Sequence, residues 1–301
     1  MKVFVAGSAG QLARALADRA TAPDLEILGA GRPQLDLERR EGAERIDTFA
    51  PDVIINAAAY TAVDAAEQDS ARAFAVNRDG AAWLAGTAAE RNIPFLHIST
   101  DYVFDGSKSG AYTEEDAVNP QSAYGRTKRA GEEAVLTTCP SALILRTAWV
   151  YSPYGQNFVK TMLRLARERD SLRVVNDQVG SPTSAHDLAD ALLAIARRVA
   201  QDRDHPRGVY HATATGATTW FGFAQEIMRL AAERGHRAVP VAPITTADYP
   251  TPATRPANSQ LDCGKLARDF GLQLPSWKDS LPTTMQALLV DTETMAPRTE
   301  R

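Results

Sequence analysis

Tyr124 and Lys128 stand four residues apart in Tyr124-Gly-Arg-Thr-Lys128, within a stretch that reads as helix. At that spacing both side chains lie on one helical face, so the ammonium can act on the phenol. A free tyrosine titrates near ~10, and bringing it to roughly 7 takes about 4 kcal/mol of preferential stabilisation of the phenolate. A buried lysine and a bound cofactor cation could supply it together. In a chain with 8 tyrosines the pair also arises easily by chance, so its weight lies in what surrounds it.

The helix carrying the pair has Ser122 as its expected N-cap and should run to about Thr138, stopping before Pro140. Upstream, short apolar β-rich runs alternate with Ala-rich amphipathic stretches, the βαβ signature of a parallel sheet. Strands are predicted at Lys2 to Ala6, Glu26 to Gly29, Asp52 to Asn56, Pro94 to Ser99 and Ala142 to Arg146. A long helix should fill Ser70 to Arg91 and stop at Asn92-Ile93-Pro94. Beyond Arg146 the pattern loosens: helices are expected at Asn157 to Arg169, Ala185 to Ala200, Phe221 to Arg234 and Pro282 to Val290. A strand is expected at Leu172 to Val175, and a frayed tail from Thr292.

Gly7-Ser8-Ala9-Gly10-Gln11-Leu12-Ala13 follows the first strand and opens a helix, where a dinucleotide pyrophosphate would meet free N–H groups. Gly7 would make the tight turn, Gly10 the close approach, and Ala13 the small helix-to-sheet contact. An ordinary strand-to-helix turn would look the same in isolation. After the second strand comes Leu28-Gly29-Ala30-Gly31-Arg32, with no acid to hold a ribose 2′-hydroxyl and with Arg32 available to a 2′-phosphate. NADPH is therefore expected over NADH, which stays possible; otherwise Arg32 is a solvated loop charge. Asp36 and Leu37 fall nearer the adenine end. Ala57, Ala58, Ala59, Tyr60 and Thr61 follow the third strand, where small residues allow close backbone approach to a cofactor or simply tight packing.

Ser99-Thr100-Asp101-Tyr102-Val103-Phe104 follows the fourth strand, at the carboxyl edge where open α/β sheets bind ligands. Thr100 or Ser99 could hydrogen-bond a substrate carbonyl beside Tyr124, or cap the turn. Trp149 taken alone reads as a core aromatic.

The bulk properties narrow the function classes. With 301 residues, 44% hydrophobic and 23% charged, the chain has the composition of a soluble globular protein, as one extended α/β unit or two lobes. A net charge of −4 speaks against nucleic-acid binding. The apolar run before Gly7 is too short for a signal-peptide core and no stretch reaches membrane-spanning length, so a cytoplasmic protein with no membrane partner is expected. Cys139 and Cys263 form neither a disulfide framework nor a metal pair.

Glycine turn, strand-end hydroxyl and Tyr-x-x-x-Lys together resemble the extended short-chain dehydrogenase/reductase superfamily over the full length. Six blocks are similar, in order, to the dTDP-4-dehydrorhamnose reductase family: Asn56-Ala-Ala-Ala-Tyr-Thr-Ala-Val-Asp64, Ser99-Thr-Asp-Tyr-Val-Phe104, Arg146-Thr-Ala-Trp-Val-Tyr151, Asn157-Phe-Val-Lys-Thr-Met-Leu163, Asn176-Asp-Gln-Val-Gly-Ser-Pro-Thr183 and Arg255-Pro-Ala-Asn-Ser259. The resemblance implies an α/β fold, a Rossmann-type doubly wound parallel sheet over 1–150 with a smaller C-terminal substrate-binding lobe over 151–301, some of whose segments return to the sheet domain. It implies reduction of the C4 ketone of dTDP-4-dehydro-6-deoxy-L-mannose to dTDP-L-rhamnose, a precursor of cell-surface glycans. Tyr124 would give the proton, Lys128 hold the nicotinamide ribose and lower the phenol pKa, and Thr100 polarise the ketone oxygen. Asp101 and Trp149 would touch the sugar, Asp177, Gln178, Gly180 and Thr183 shape the substrate lobe, and Arg255 meet the diphosphate.

Some family members are described as dimerising through magnesium held by surface glutamates, and the aligned positions here are Ala15 and His186. Without those carboxylates no metal site is expected, and the chain should be a monomer or weak homodimer. Two other readings share the fold: an inactive regulatory subunit like that of methionine adenosyltransferase, which would have lost the catalytic set, and a sugar-nucleotide epimerase or dehydratase that recycles a tightly bound NAD.

Overall fold

The computed structural model describes residues 1–21, 23–202 and 204–293, with no side-chain detail for 291–293. The five predicted strands are present within one residue of expectation: β1 (Lys2–Ala6), β2 (Glu26–Ala30), β3 (Val53–Asn56), β4 (Phe95–Thr100) and β5 (Leu143–Thr147). They form one parallel sheet with a sixth strand, Gly208–His211, that the sequence reading did not anticipate; the order across the sheet is Gly208–His211, β5, β4, β3, β1, β2. β1 thus lies between β2 and β3, and the chain leaves it in opposite directions. The loops after β1 and β3 open a crevice at that switch point, above the carboxyl ends of the strands.

Both faces of the sheet are covered, as near-continuous apolar strands require. On one face α1 (Gln11–Ala17) and a helix at Ala185–Gln201 pack Leu16, Leu188, Leu192 and Ile195 against Val3 and Ile55. On the other, Leu84, Ala88 and Val135 meet Phe4, Ile54 and Phe95. Ala185–Gln201 and Gly208–His211 therefore belong to the sheet layer although they follow the lobe segments in sequence. A separate core joins helices Phe158–Glu168, Trp220–Glu233 and Trp277–Glu293 through Val159, Phe223, Ile227 and Leu281, beside the paired strands Leu172–Val175 and Val241–Ile244. The last helix begins five residues before the expected Pro282. Of the tail predicted from Thr292, residues 294–301 lie outside the described residues.

The helix predicted over Ser70 to Arg91 is interrupted. Ser70–Phe74 and Ala81–Glu90 are α-helical, and Ala75–Gly80 between them is a π turn. That widened turn carries the buried Asn77, which accepts from Tyr60 N at 2.8 Å and donates to Tyr60 O at 3.0 Å and Thr127 Oγ1 at 3.0 Å. One amide side chain thus ties the loop after β3 to the Tyr124 helix, in keeping with the placement of π turns at working sites. Gly131 permits the close fit, since a Cβ there would stand 2.1 Å from Asn77 O.

Candidate active site

The Tyr124 helix, α2 (Ala123–Thr138), is started by Ser122, whose Oγ accepts from Gly125 N at 3.1 Å. Its i, i+4 spacing aligns Tyr124, Lys128 and Glu132 on the buried face toward β4 and β5. Tyr124 packs edge-on to Tyr102 with ring centroids 5.6 Å apart. Burial pushes its phenol above the usual tyrosine range, partly opposed by the adjacent Thr100 hydroxyl. Thr100 donates to Asp101 Oδ1 at 2.9 Å, and burial pushes the Asp101 carboxyl up to about 6.

Lys128 is 2% exposed, and its Nζ donates to Ile98 O at 2.6 Å. Burial draws its pKa down to about 8, with the negative charge of Glu132 opposing. Glu132 in turn accepts from Arg146 Nε and Nη2, at 2.8 and 2.7 Å, in a fully buried ion pair. Within the protein alone Tyr124 is therefore protonated, the state a proton donor needs; the lowering expected from lysine and a cofactor cation acting together concerns the bound complex.

These groups edge a cleft of ≈ 980 Å³ that runs back to the switch point. Gly7 turns there with φ +110°, and a Cβ on it would touch the Ala58 backbone at 3.4 Å. Gly10 caps α1 without a side-chain partner, leaving first-turn N–H groups facing the cleft. The Gln11 side chain turns away instead: it donates to Val150 O and accepts from Ser152 Oγ and Asn157 Nδ2, fastening the turn to the lobe segment. Leu12 and Leu37 line the cleft from within the core, and Ala57, Ala58, Ala59, Tyr60 and Thr61 form the opposite wall. Asp36 also lines it but spends Oδ1 on the Glu38 and Arg39 N–H groups. Arg32 lies at the far end, 63% exposed and 3.8 Å from Glu38, which also binds Arg72 at 3.0 Å. Arg72 is a second cation at that end that the sequence reading passed over.

Three buried polar atoms in the cleft wall, Ser99 Oγ, Asp101 Oδ2 and Thr147 Oγ1, lack any hydrogen-bond partner. Such atoms mark where a ligand's polar groups belong. Together with the Gly7 cradle they fit a nicotinamide dinucleotide.

At the substrate end Trp149 adopts φ +49° and stacks face to face on Trp220, centroids 3.5 Å apart. Gly180 makes room beneath it, since a Cβ there would be 2.5 Å from the indole. Trp220 lines the cleft and was not anticipated; its only sequence signal was its place at the start of a predicted helix. Asp177 and Gln178 bind Thr246, and Thr183 accepts from Ala214 N, so these residues brace loops rather than line the cleft. Arg255 is likewise absent from the cleft lining, its guanidinium donating to Asp64 at 2.7 Å. Ala15 is fully buried against the sheet, and His186 pairs with Asp18 at 2.8 Å. Among the described residues no group of three or more metal-ligating side chains gathers, and no helix is long and apolar enough to cross a membrane. A smaller hollow beside Glu233, His236 and Leu289 holds none of these residues.

A parallel Rossmann-type sheet with a glycine turn at its switch point, and Thr100, Tyr124 and Lys128 over its carboxyl edge, defines an extended short-chain dehydrogenase/reductase. Comparison with known proteins sharpens this. The RmlD substrate binding domain family matches residues 1–290. The dTDP-4-dehydrorhamnose reductase of Sinorhizobium fredii is 50% identical, over 97% of this chain and 99% of that protein; the Escherichia coli protein of the same name is 40% identical over 97% and 99%. Among solved structures, a dTDP-4-dehydrorhamnose reductase from Clostridium acetobutylicum superposes with a TM-score of 0.88 at 38% identity, covering 98% of this chain and all of that one. One from Bacillus anthracis, in complex with NADP, gives 0.86 at 33% identity, covering 96% and 99%. The chain belongs to the dTDP-4-dehydrorhamnose reductase family.

Proposed function

We propose that this enzyme reduces the C4 ketone of dTDP-4-dehydro-L-rhamnose to give dTDP-L-rhamnose, with NADPH preferred to NADH, working in the cytoplasm as a monomer or weak homodimer without a metal. The observation that carries this reading is the convergence of the Thr100 hydroxyl, the protonated Tyr124 phenol and the buried Lys128 at the end of a cleft whose other end holds Arg32 and Arg72. The nicotinamide, when bound, supplies the hydride. Thr100 and Tyr124 would orient the ketone oxygen by hydrogen bonds, and Tyr124 would pass its proton to the alkoxide as negative charge develops there. Lys128 would hold the ribose hydroxyls. The flat Trp149 and Trp220 pair, at the outer wall, would lie against the apolar face of the deoxysugar. Arg32, with no acid in the Leu28 to Gly31 segment itself and with Arg72 beside it to share Glu38, supports the choice of the phosphorylated cofactor.

The test is NADPH oxidation with the dTDP-linked keto sugar, which should proceed with stoichiometric cofactor loss. Tyr124→Phe should lower kcat by about 10²–10⁴-fold while the Kd for NADPH, read by fluorescence, stays within about threefold of the parent. Catalytic rather than stoichiometric cofactor use would favour an epimerase or dehydratase. Binding of NADPH with no turnover by the parent would favour a regulatory subunit.

A further inference from the structure

Beneath the Tyr124 and Lys128 face, β3 and β4 contribute a buried polar pair, Asn56 and His97, each 1% exposed, that the mechanism above does not use. Their hydrogen bonds determine which atoms donate. Ala58 N donates to Asn56 Oδ1 at 3.2 Å, so the amide nitrogen is turned to the imidazole, and Asn56 Nδ2 donates to His97 Nδ1 at 3.1 Å. An Nδ1 that accepts leaves the ring hydrogen on Nε2. Nε2 lies 3.4 Å from Lys128 Nζ, which donates one of its hydrogens to Ile98 O at 2.6 Å.

An N–H aimed at an ammonium sets donor against donor, whereas a free amine accepts it through its lone pair. We propose that His97, oriented by Asn56, is a positioning residue that favours the free amine of Lys128 over its ammonium beside the catalytic tyrosine. Burial, and then the charge of Lys128, hold the His97 pKa well below the usual histidine value, so the ring stays neutral and its Nδ1 remains an acceptor. The other titratable or charged groups around Lys128 come from few places. Its own helix presents Tyr124 and Glu132, and Arg129 on that helix also reaches the Glu132 carboxylate at 3.3 Å; β5 presents Arg146, whose charge Glu132 takes up. The segment after β4 presents Asp101, whose Oδ1 is held by Thr100, and the π turn packed on the helix presents the uncharged Asn77. Among the described residues, His97 is the one whose side chain lies within hydrogen-bond distance of Nζ.

The reductase reading enters only one arm of the test. In the cofactor-free protein labelled with [6-13C]lysine, one resonance, assigned by its loss in Lys128→Met, should titrate near pH 8, far below the ~10.4 of exposed lysines. The imidazole 15N shifts of the parent should report His97 with its hydrogen on Nε2. Asn56→Asp would take that hydrogen onto Nδ1 and turn Nε2 into an acceptor; His97→Gln lets a carbonyl face the ammonium. Both should raise the Lys128 midpoint by about one pH unit or more, and the alkaline limb of kcat/KM should move with it. A parent tautomer with the hydrogen on Nδ1, or a Lys128 midpoint unmoved in folded variants, overturns the assignment; should neither variant fold, the parent tautomer decides alone. If the lysine midpoint moves and the rate limb does not, the role given to Lys128 in reduction fails while the assignment of His97 stands.

Discussion

Glu132→Gln should weaken the fold by about 3–5 kcal/mol and lower the Lys128 titration at the same time. Glu132 and Arg146 are 0% and 2% exposed, and the carboxylate takes two hydrogen bonds from the guanidinium, at 2.8 and 2.7 Å. The third arm of Arg146, Nη1, is buried with no hydrogen-bond partner, and the cation otherwise rests over the Phe104 ring at 5.1 Å. A carboxamide can accept one arm but turns N–H groups at the other, stranding a buried charge. Against a total stability of about 5–15 kcal/mol that is a large fraction. At about 2 °C per kcal/mol for a chain of this size, the melting temperature should fall by about 6–10 °C. Replacing both partners, Glu132→Leu with Arg146→Met, should recover much of the loss, because no charge is left behind.

The same pair gives a pH signature. Burial by itself raises the Glu132 carboxyl, but hydrogen bonds and charge from Arg146 outweigh it and hold the group below its usual value. A depressed folded-state pKa contributes stability above the unfolded value, about 4.3, and that contribution is lost as pH falls through the folded value. The gap between parent and Glu132→Gln should therefore be full at pH 7 and close in acid. Because the Glu132 charge raises Lys128, its removal should also shift the lysine to below about 8. Thermal melts by circular dichroism across pH, with the lysine titration, test both points. A variant melting within about 1 °C of the parent at pH 7 would refute the account of a pair that must be kept whole.

Asp101, pushed up to about 6 by burial, works in the opposite sense. Its folded pKa lies above the unfolded ~3.9, so its contribution is complete below that value and is lost as pH rises through about 6. Asp101→Asn should melt higher than the parent at pH 8, by up to about 2–3 kcal/mol, and match it near pH 3.5, while losing activity; an equal or lower melt at pH 8 would count against the unmet Oδ2. Arg32→Ala should cut kcat/KM for NADPH by about tenfold and leave NADH nearly unchanged, and unaffected NADPH use would remove the phosphate from that end of the cleft.

Much of the site was legible in the chain because its signals are local. Tyr124 and Lys128 share a face through helical periodicity, Gly7 turns at the end of β1, and Thr100 ends β4, each read from neighbours within a few residues. The five strands announced themselves as short apolar runs separated by longer Ala-rich amphipathic stretches. The sixth, Gly208–His211, is only four residues long and joins the sheet solely by lying beside β5. The break in the Ser70 to Arg91 helix was equally silent, since its Ala-rich composition suits an uninterrupted helix and the π turn answers to Tyr60 and Thr127 across the fold.

The amino-acid sequence by itself determined five of the six strands of the central sheet, the family, and the tyrosine, lysine and threonine proposed for catalysis, since dihedral preference, hydrophobic period and motif spacing act over a few residues. Only the tertiary structure decided what those residues face. It set Arg255 against Asp64, 191 residues away, joined Gln11 to Val150, laid Trp220 on Trp149, and brought His97 and Asn56 beneath Lys128. Such partners are chosen by close packing and by the cost of leaving a buried polar group unmet, and both depend on the whole fold at once.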